Sequence, residues 1–329
     1  ADREQVPLST TACFGRLHGK SVTMRRIYAQ LAKMASHDLS VLVTGETGTG
    51  KELVARTIHE ASRRREGPFV TIDCTTIPAS LAESRLFGHE KGAFTGAVGQ
   101  HTSPFVDAEG GTLFFDELGE LPADIQPKLL RALETRQIQS LGSNRYKPFD
   151  VRVIAATRRN LHVEMNAKRF RDDLYYRFAQ VVVELPTLRD HPEDIPDLVM
   201  RFLSDLGDPG AIRRLDQPSL DRLVRHDWPG NVRELRNVLL AAHSQSEGGP
   251  IEVAEFLGSR PGGVVLSDHA SSLGSFHVLK RETLDALERG YFVKLNREAD
   301  GNLSEIARKS GLSRPQVREY LQRHGLRGR

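Results

Sequence analysis

Apolar residues in this chain fall into two patterns, helical repeats and short unbroken runs. Met24, Ile27, Leu31 and Met34 recur at intervals of three and four, which predicts an amphipathic helix over 21–35. Strands are predicted at the short apolar runs 40–43, 68–73, 112–115, 151–157 and 181–185. Because helical patterns separate most of these runs, we expect an α/β fold with a parallel sheet covered on both faces. Ligands of such sheets bind at the carboxyl ends of the strands.

Beyond residue 188 the strand patterns stop and helical patterns take their place. These patterns lie at 191–206, 218–226 and 231–246, and the last has an apolar face that includes Val232 and Leu235. We interpret them as a small helical lid on the sheet. Residues 259–275 are rich in Gly and Ser and are interpreted as a linker.

The end of the chain has the pattern of a small all-α, helix-turn-helix domain. An amphipathic helix is predicted over 278–296, and Asn302 to Glu305 has the sequence of a capping box that begins a short helix. Ser310 to Leu312 forms the turn, and Ser313 caps a second helix. Many such pairs are only structural, but this spacing leaves polar residues available to DNA. They are Ser313, Arg314, Gln316, Arg318, Glu319 and Arg323.

Length and composition favour a globular protein with more than one domain. The chain has 329 residues, of which 39% are hydrophobic, and this is enough for packed cores. Our predicted divisions are a lead-in at 1–13, an α/β subdomain at 14–188, a lid at 189–258, a linker at 259–275 and a C-terminal domain at 276–329.

Cysteine usage and the absence of targeting signals bear on the compartment. Cys13 and Cys74 are the only cysteines, which argues against a disulfide framework or a cysteine metal site. The sequence has no signal-like start and no long apolar run. We therefore expect a reduced, cytoplasmic protein without a membrane partner.

The formal net charge of +3 conceals an asymmetry between the two ends of the chain. From Phe276 onward there are 12 Lys and Arg against 7 Asp and Glu, and the rest of the chain is slightly acidic. A basic C-terminal part suits a polyanion such as DNA, although charged residues often serve only to solvate a surface.

The run SVLVTGETGTGKELV, at 40–54, carries the strongest chemical signal. A predicted strand, a glycine-rich loop and a helix follow in the order that a phosphate-binding loop requires. Backbone N–H groups of such a loop converge on an anion, and Lys51 can reach the β- and γ-phosphates. Glu52 replaces the Ser or Thr usual after the lysine, and a flexible surface loop is the simpler alternative. The expected nucleotide ligands are Gly45, Glu46, Thr47, Gly48, Thr49, Gly50, Lys51 and Glu52.

Asp116 and Glu117 end the third predicted strand, directly after the apolar residues Leu113 to Phe115. Two acids at the end of a buried strand are costly unless they face a polar site. We expect Asp116 to hold Mg²⁺, and Glu117 to orient or deprotonate the water that attacks the γ-phosphate. A pair of acids in a solvated turn is the alternative.

The segment ESRLFGHEKGAFTGA, at 83–97, lies between two predicted strands and is not needed by the sheet. Gly88, Gly92 and Gly96 favour a mobile arm, and Phe94 stands among small residues. The aromatic ring could contact another protein, or it could anchor a folded loop, and composition does not separate the two.

Several motifs together resemble the AAA+ ATPase domain of bacterial enhancer-binding proteins, the activators of sigma-54 RNA polymerase. They occur in the family's order, between about Phe14 and Leu257. The motifs are GETGTGKE, GAFTGA, GGTLFFDELGELP, FRDDLYYR and WPGNVREL. The helix-turn-helix segment is similar to the Fis-type domain of the same activators.

The resemblance implies roles that the patterns alone do not supply. Lys51 and its loop would bind ATP, Asp116 would serve Mg²⁺, and Glu117 would activate water. Arg171 and Arg177 look like arginine fingers offered to the neighbouring subunit's ATP, which suits the spread charge of a transferring phosphoryl group. Residues matching nucleotide sensors are Thr157 and, in the lid, Arg233. The residues implied to contact sigma-54 are Gly92, Ala93, Phe94, Thr95, Gly96 and Ala97.

Two positions depart from the family pattern. Asp73 stands where an asparagine usually holds the catalytic glutamate, and Arg158 replaces the usual sensor asparagine. A carboxylate cannot donate an amide hydrogen bond to Glu117, and nearby carboxylates raise the pKa of at least one of them. We expect ATP binding to persist and Asp73 to affect turnover.

The implied protein is an ATP-dependent transcriptional activator. A dimer would bind an inverted-repeat enhancer DNA, a homo-oligomeric ring such as a hexamer would assemble, and hydrolysis would remodel the sigma-54 RNA polymerase closed complex into the open complex. Such proteins usually carry a sensory domain before the ATPase. Either a separate protein supplies this control or, as we expect, this sequence is a piece of a longer one. A general AAA+ remodeller with another client, and a DNA-binding regulator with a vestigial ATPase, are the alternatives.

Overall fold

The computed structural model describes residues 8–93, 99–208 and 210–257, together with 292, 295–296, 299, 302–310 and 314–323 of the C-terminal part. By its internal contacts the chain divides into two compact units, Ala1–Gly262 and Gly263–Arg329. The first unit contains the α/β subdomain and the helical lid. None of the helices in the described ranges is long and apolar enough to cross a membrane.

A five-stranded parallel sheet forms the centre of the first unit. Its strands are β3 (Val41–Thr44), β4 (Phe69–Asp73), β5 (Thr112–Asp116), β8 (Arg152–Thr157) and β9 (Val181–Glu184). Their order across the sheet is β4-β5-β8-β3-β9. All five lie where apolar runs predict them. Two antiparallel pairs complete the set, β1 (Cys13–Phe14) with β2 (Leu17–His18) and β6 (Gln137–Gln139) with β7 (Tyr146–Pro148).

Helices cover both faces of the sheet. The elements on the two sides are α1 (Val22–Ala35), α2 (Lys51–Glu60), α3 (Ala82–Phe87), α4 (Pro104–Asp107), α5 (Gln126–Thr135), α6 (Leu161–Asn166) and α7 (Asp172–Phe178). Consecutive residues of β5 belong to different cores: Phe115 lies in the cluster that contains Leu86 and Leu129, and Phe114 lies in the cluster that contains Leu31 and Ile58. The prediction of an α/β fold with a parallel sheet covered on both faces is confirmed.

The central strand β8 carries one charged residue in an otherwise apolar run. Arg152 is 1% exposed, and its Nη2 donates to the carbonyl oxygen of Met34 at 3.0 Å. The guanidinium therefore adds a side-chain donor to a carbonyl at the C-terminal end of α1, and burial lowers the pKa of Arg152.

The lid follows the sheet directly. It contains α8 (Ile195–Asp205), α9 (Ala211–Arg214), α10 (Gln217–Arg225) and α11 (Asn231–Gln245). Its core surrounds Trp228, which is fully buried and whose indole N–H donates to the carbonyl oxygen of Leu223 at 2.8 Å. The periodicity predicted three of these helices and missed the four-residue α9.

The second unit contains α12 (Leu303–Ser310) and α13 (Arg314–Arg323). Ile306, Val317 and Leu321 are buried together, and Phe292 stacks on Tyr320 with ring centroids 4.9 Å apart. The two helices lie where the helix-turn-helix pattern predicts them. The predicted linker at 259–275 and most of the predicted helix at 278–296 lie outside the described residues.

Candidate nucleotide site

The glycine-rich loop lies between β3 and α2, as the sequence predicts. Gly48 and Gly50 have φ values of +82° and +97°, and Gly50 precedes the first residue of α2. A side chain at Gly48 would be unfavourable because its Cβ would lie 2.2 Å from the carbonyl oxygen of Gly230 in the lid. Glycine therefore serves two needs here, backbone conformation and close approach of the lid.

Lys51 begins α2 and is 7% exposed. Its ammonium group donates to the carbonyl oxygens of Gly45 and Glu46, at 3.0 and 3.2 Å, and lies 3.5 Å from Oε1 of Glu117. The lysine is thus held over the loop, between the loop carbonyls and the acids at the end of β5.

Those acids occupy neighbouring strand ends. Asp73 and Asp116 are partners in the parallel register of β4 and β5, and Glu117 follows with a left-handed φ of 51°. Burial, and next the negative charge of Glu117, raise the pKa of Asp116, and Asp73 adds to the effect.

All three acids accept hydrogen bonds, and Asp116 Oδ1 accepts from the backbone N–H of Glu117 at 3.1 Å. Glu117 Oε2 accepts from the backbone N–H of Arg158 at 3.0 Å. Asp73 Oδ1 accepts from the backbone N–H and the hydroxyl of Thr75, at 2.9 and 2.6 Å, so it caps the turn that follows β4. Arg158 directs its guanidinium to Glu120, at 3.4 Å. Arg158 replaces the usual sensor asparagine, but its backbone N–H still donates a hydrogen bond to Glu117.

A cavity of about 670 Å³ joins these groups to the lid. Its polar lining comes mainly from the loop, Lys51 and the acids, and its apolar lining residues are Leu53, Phe202, Val232 and Leu240. Of the residues expected from sequence, the cavity brings together Thr47, Gly48, Gly50, Lys51, Glu52, Asp73, Asp116, Glu117 and Arg233.

Three other expected residues, Thr157, Arg171 and Arg177, do not line this cavity. Thr157 is fully buried at the end of β8, where its hydroxyl accepts from the backbone N–H of Arg159 at 3.1 Å. Arg171 pairs with both carboxylate oxygens of Asp173, and Arg177 donates to the carbonyl oxygen of Leu133 at 2.7 Å. Among the described residues, neither arginine lines the cavity of its own chain.

The expected sigma-54 loop is described only at its base. Gly92 and Ala93 are within the described ranges, whereas Phe94, Thr95, Gly96 and Ala97 lie outside them. Below the loop, His89 and His101 exchange backbone hydrogen bonds of 3.1 and 3.0 Å, and Glu90 N–H donates to Leu141 O at 2.9 Å. The turn between β6 and β7, which the sequence did not predict, therefore supports the stem.

Five of the six residues expected to contact DNA belong to α13. Arg314 and Arg318 are exposed on α13. Gln316, Glu319 and Arg323 belong to the same helix, and Ser313 lies outside the described residues.

Sequence reasoning missed two residues that touch the loop from the lid side. Arg189 donates to both carboxylate oxygens of Glu46, at 3.2 and 2.6 Å, and Asn231 donates to Glu46 Oε2 at 3.1 Å. No periodicity or spacing connects residues so far apart. The only local signal is an asparagine at the first residue of a helix, a residue type that tolerates left-handed backbone.

Comparison with known proteins agrees with this arrangement. Residues 17–184 match the family model described as the sigma-54 interaction domain, and residues 189–259 match the AAA+ ATPase lid domain. The chain belongs to the sigma-54 activator family. It is an AAA+ ATPase, and its likeness extends beyond the two matched regions.

Individual relatives cover most of the chain. It is 40% identical to the transcriptional regulatory protein ZraR of Escherichia coli over 97% of its own length and 71% of that protein. It is 50% identical to the DNA-binding transcriptional regulator NtrC of Rhizobium meliloti over 68% of its length and 46% of that protein. The crystal structure of NtrX from Brucella abortus in complex with ATP matches 95% of this chain and 70% of its own, at 31% identity and a TM-score of 0.68.

Proposed function

We propose that this sigma-54 activator binds ATP and Mg²⁺ in the cavity between sheet and lid, and uses hydrolysis to convert the closed sigma-54 RNA polymerase complex into the open one. The observation that carries the proposal is the convergence of Lys51, Asp116, Glu117 and Arg233 on one cavity. Each has a chemical task in phosphoryl transfer, and they come from separate parts of the chain.

The cavity suits the two ends of a nucleotide. The loop N–H groups, the start of α2 and Lys51 provide a positive environment for phosphates. Leu53, Phe202, Val232 and Leu240 offer an apolar surface for the base. The ATP complex of the related NtrX supports this assignment.

Asp116 has the chemistry of a Mg²⁺ ligand. Its carboxylate lies beside Glu117, and its pKa is raised by burial and then by the negative charge of Glu117. A hard divalent cation would relieve that charge and prefers carboxylate oxygens, so the residues fit the ion. When bound, the cation neutralises charge on the phosphates. Asp116 would hold it while Lys51 orients the β- and γ-phosphates.

Glu117 is the residue positioned to prepare the attacking water. The N–H of Arg158 and the ammonium of Lys51 fix its two carboxylate oxygens at 3.0 and 3.5 Å. A carboxylate held in this way can orient water and accept its proton. Arg233 approaches from the lid and would stabilise charge on the transferring phosphoryl group.

Arg171 and Arg177 complete the site in trans in this proposal. They do not line the cavity of their own chain among the described residues. A finger supplied by a neighbour makes hydrolysis depend on assembly of a ring, for which we propose a hexamer. Gly92 to Ala97 would then contact sigma-54, with Phe94 as the central contact, and the backbone bonds of the stem would transmit the motion.

We further propose that the second unit binds enhancer DNA. Arg314 and Arg318 are exposed on the second helix of the pair, where phosphate and base-edge contacts are made in helix-turn-helix proteins. A dimer of such units would bind an inverted repeat with half-sites about one helical turn, or a multiple, apart. Phosphate contacts would be sequence-independent and salt-sensitive.

ATP turnover against protein concentration, together with binding to sigma-54, tests the proposal. We expect turnover per chain to rise steeply with concentration and to be lost in Lys51→Ala. The Phe94→Ala variant should keep turnover and lose nucleotide-dependent binding to sigma-54. Turnover that is independent of concentration would contradict the in-trans site, and sigma-54 binding by Phe94→Ala would contradict the loop assignment.

A further inference from the structure

The side chain of Glu46 contacts the lid, although its backbone belongs to the phosphate-binding loop. Oε1 accepts from Arg189 Nη2 at 2.6 Å, and Oε2 accepts from Arg189 Nη1 at 3.2 Å. The pair is bidentate, which fixes the relative orientation of the two groups as well as their separation. Arg189 stands at the point where the chain leaves the sheet for the lid.

Asn231 extends the same network into the lid. It is fully buried with a φ of 54°, and its Nδ2 donates to Glu46 Oε2 and to Thr47 O, each at 3.1 Å. Its Oδ1 accepts from the backbone N–H of Leu188 at 2.9 Å. One amide side chain thus joins the loop, the exit from the sheet and the first residue of α11.

The start of α11 also carries Arg233 into the nucleotide cavity. The backbone N–H of Arg233 donates to Gly48 O at 3.2 Å, and its side chain lines the cavity. Because Arg233 follows Asn231 by two residues on the same helix, anything that fixes Asn231 on the loop also fixes Arg233. Hydrogen bonds from Arg189 and then Asn231 lower the pKa of Glu46, so this carboxylate is ionised at neutral pH.

We propose that Glu46 is a positioning residue, whose carboxylate holds the lid on the phosphate-binding loop through Arg189 and Asn231 and so places Arg233 for ATP. Glu46 acts through these partners and not by touching the nucleotide. The inference rests on the nucleotide site proposed above.

Steady-state ATP hydrolysis by Glu46→Gln, Arg189→Gln and the double variant tests this inference. Glutamine keeps an oxygen that can accept from Asn231 and loses the charged pair. Each single change should raise KM for ATP about fivefold and alter kcat by less than about twofold, the scale of a partly exposed ion pair. The double variant should be no worse than either single variant, because both changes break the same contact. Independent effects that multiply in the double variant would overturn the inference.

A matched control separates the contact from a general loss of charge. Glu66→Gln removes an exposed carboxylate that pairs with Arg65 inside the α/β subdomain, at 3.2 Å. Its KM should equal that of the wild type. Lys51→Ala distinguishes the two proposals, because turnover that survives this change would reject the nucleotide site itself, whatever Glu46 does.

The distance between α/β subdomain and lid separates the two possible roles of Glu46. Loss of a direct contact with the nucleotide would leave this distance unchanged, whereas loss of a lid contact would alter it. Spin labels at Glu60→Cys on α2 and Arg222→Cys on α10, in a Cys13→Ser background, report the separation of α/β subdomain and lid; both sites are exposed and Cys74 is buried. Glu46→Gln and Arg189→Gln should broaden the distance distribution equally. A raised KM with an unchanged distribution would mean that Glu46 contacts the nucleotide, and would overturn the inference.

Discussion

Asp194 of the lid accepts two hydrogen bonds from Ser21, from its backbone N–H at 2.8 Å and from its hydroxyl at 2.6 Å. Ser21 caps α1, so the carboxylate joins the first helix of the α/β subdomain to the start of α8. The N–H of Lys20 and Nδ1 of His191 also bind Asp194, at 2.6 and 2.9 Å. Glycine at position 19 leaves room for this carboxylate, because a Cβ there would lie 2.7 Å from Asp194 Oδ2.

Replacing this carboxylate should destabilise the first unit. Asp194 is fully buried, and in Asp194→Asn the amide nitrogen would face the donors of Ser21 or His191. We expect a loss of about 2 kcal/mol in the free energy of unfolding, the scale of a hydrogen bond to a buried charge. Urea unfolding of Asp197→Asn, which removes an exposed partner of Lys20, should differ from wild type by less than about 0.5 kcal/mol. Equal stability of the two variants would contradict this role.

The same carboxylate should make stability depend on acid pH. Burial raises the pKa of Asp194, but hydrogen bonds from His191 and Ser21 outweigh it, so the pKa is lowered overall. A group whose folded pKa is lowered stabilises the protein above its unfolded pKa, near 4, and loses this contribution as the pH falls towards the folded value. Unfolding midpoints should therefore decline more steeply with acid in the wild type than in Asp194→Asn. Parallel curves would exclude the effect.

Gly48→Ala should impair nucleotide binding more than stability alone explains. Alanine would combine a left-handed φ with a Cβ 2.2 Å from Gly230 O, so loop and lid must separate. We expect a rise of about tenfold or more in the Kd of a fluorescent ATP analogue, equivalent to about 1.4 kcal/mol. Gly207→Ala has a similar φ of +75° with open space around it, so it should bind the analogue normally. Loss of binding in both variants would point to backbone strain in general.

Asp73→Asn should change the pH dependence of hydrolysis. Asp73 contributes, after burial and Glu117, to the raised pKa of Asp116, so its removal should move the acid limb of kcat/KM to lower pH. The amide could also donate to Glu117, and we expect the response of ATP turnover to sigma-54 to change. The exposed Asp124→Asn serves as a control. An unmoved acid limb and an unchanged response to sigma-54 would contradict the prediction.

Arg314→Ala and Arg318→Ala should weaken binding to a mixed-sequence DNA duplex. If each arginine neutralises one phosphate, the negative slope of log K against log salt should become less steep by about 0.9 for each substitution. Fluorescence anisotropy over a salt series measures the slope. Arg65→Ala, which removes an exposed arginine of the first unit, should leave it unchanged. Slopes identical to wild type in the α13 variants would show that this helix does not contact the phosphates.

Local sequence determined most of the architecture. Strand, glycine loop and helix at 40–54, and the acids that end β5, were predictable because period, turn chemistry and burial act between near neighbours. The β6 and β7 pair escaped prediction because its strands have three residues each and β7 is exposed throughout, so neither has a clear apolar pattern.

Only the tertiary structure decided how the lid meets the loop. Glu46 lies 143 positions from Arg189 and 185 from Asn231, and Ser21 lies 173 from Asp194. Polar pairs at such separations have no period that a single sequence can reveal. They form when the packed sheet and lid cores bring their donors and acceptors together. Thus the phosphate-binding loop could be predicted from the sequence, whereas the contact of Glu46 with the lid depends on the tertiary structure.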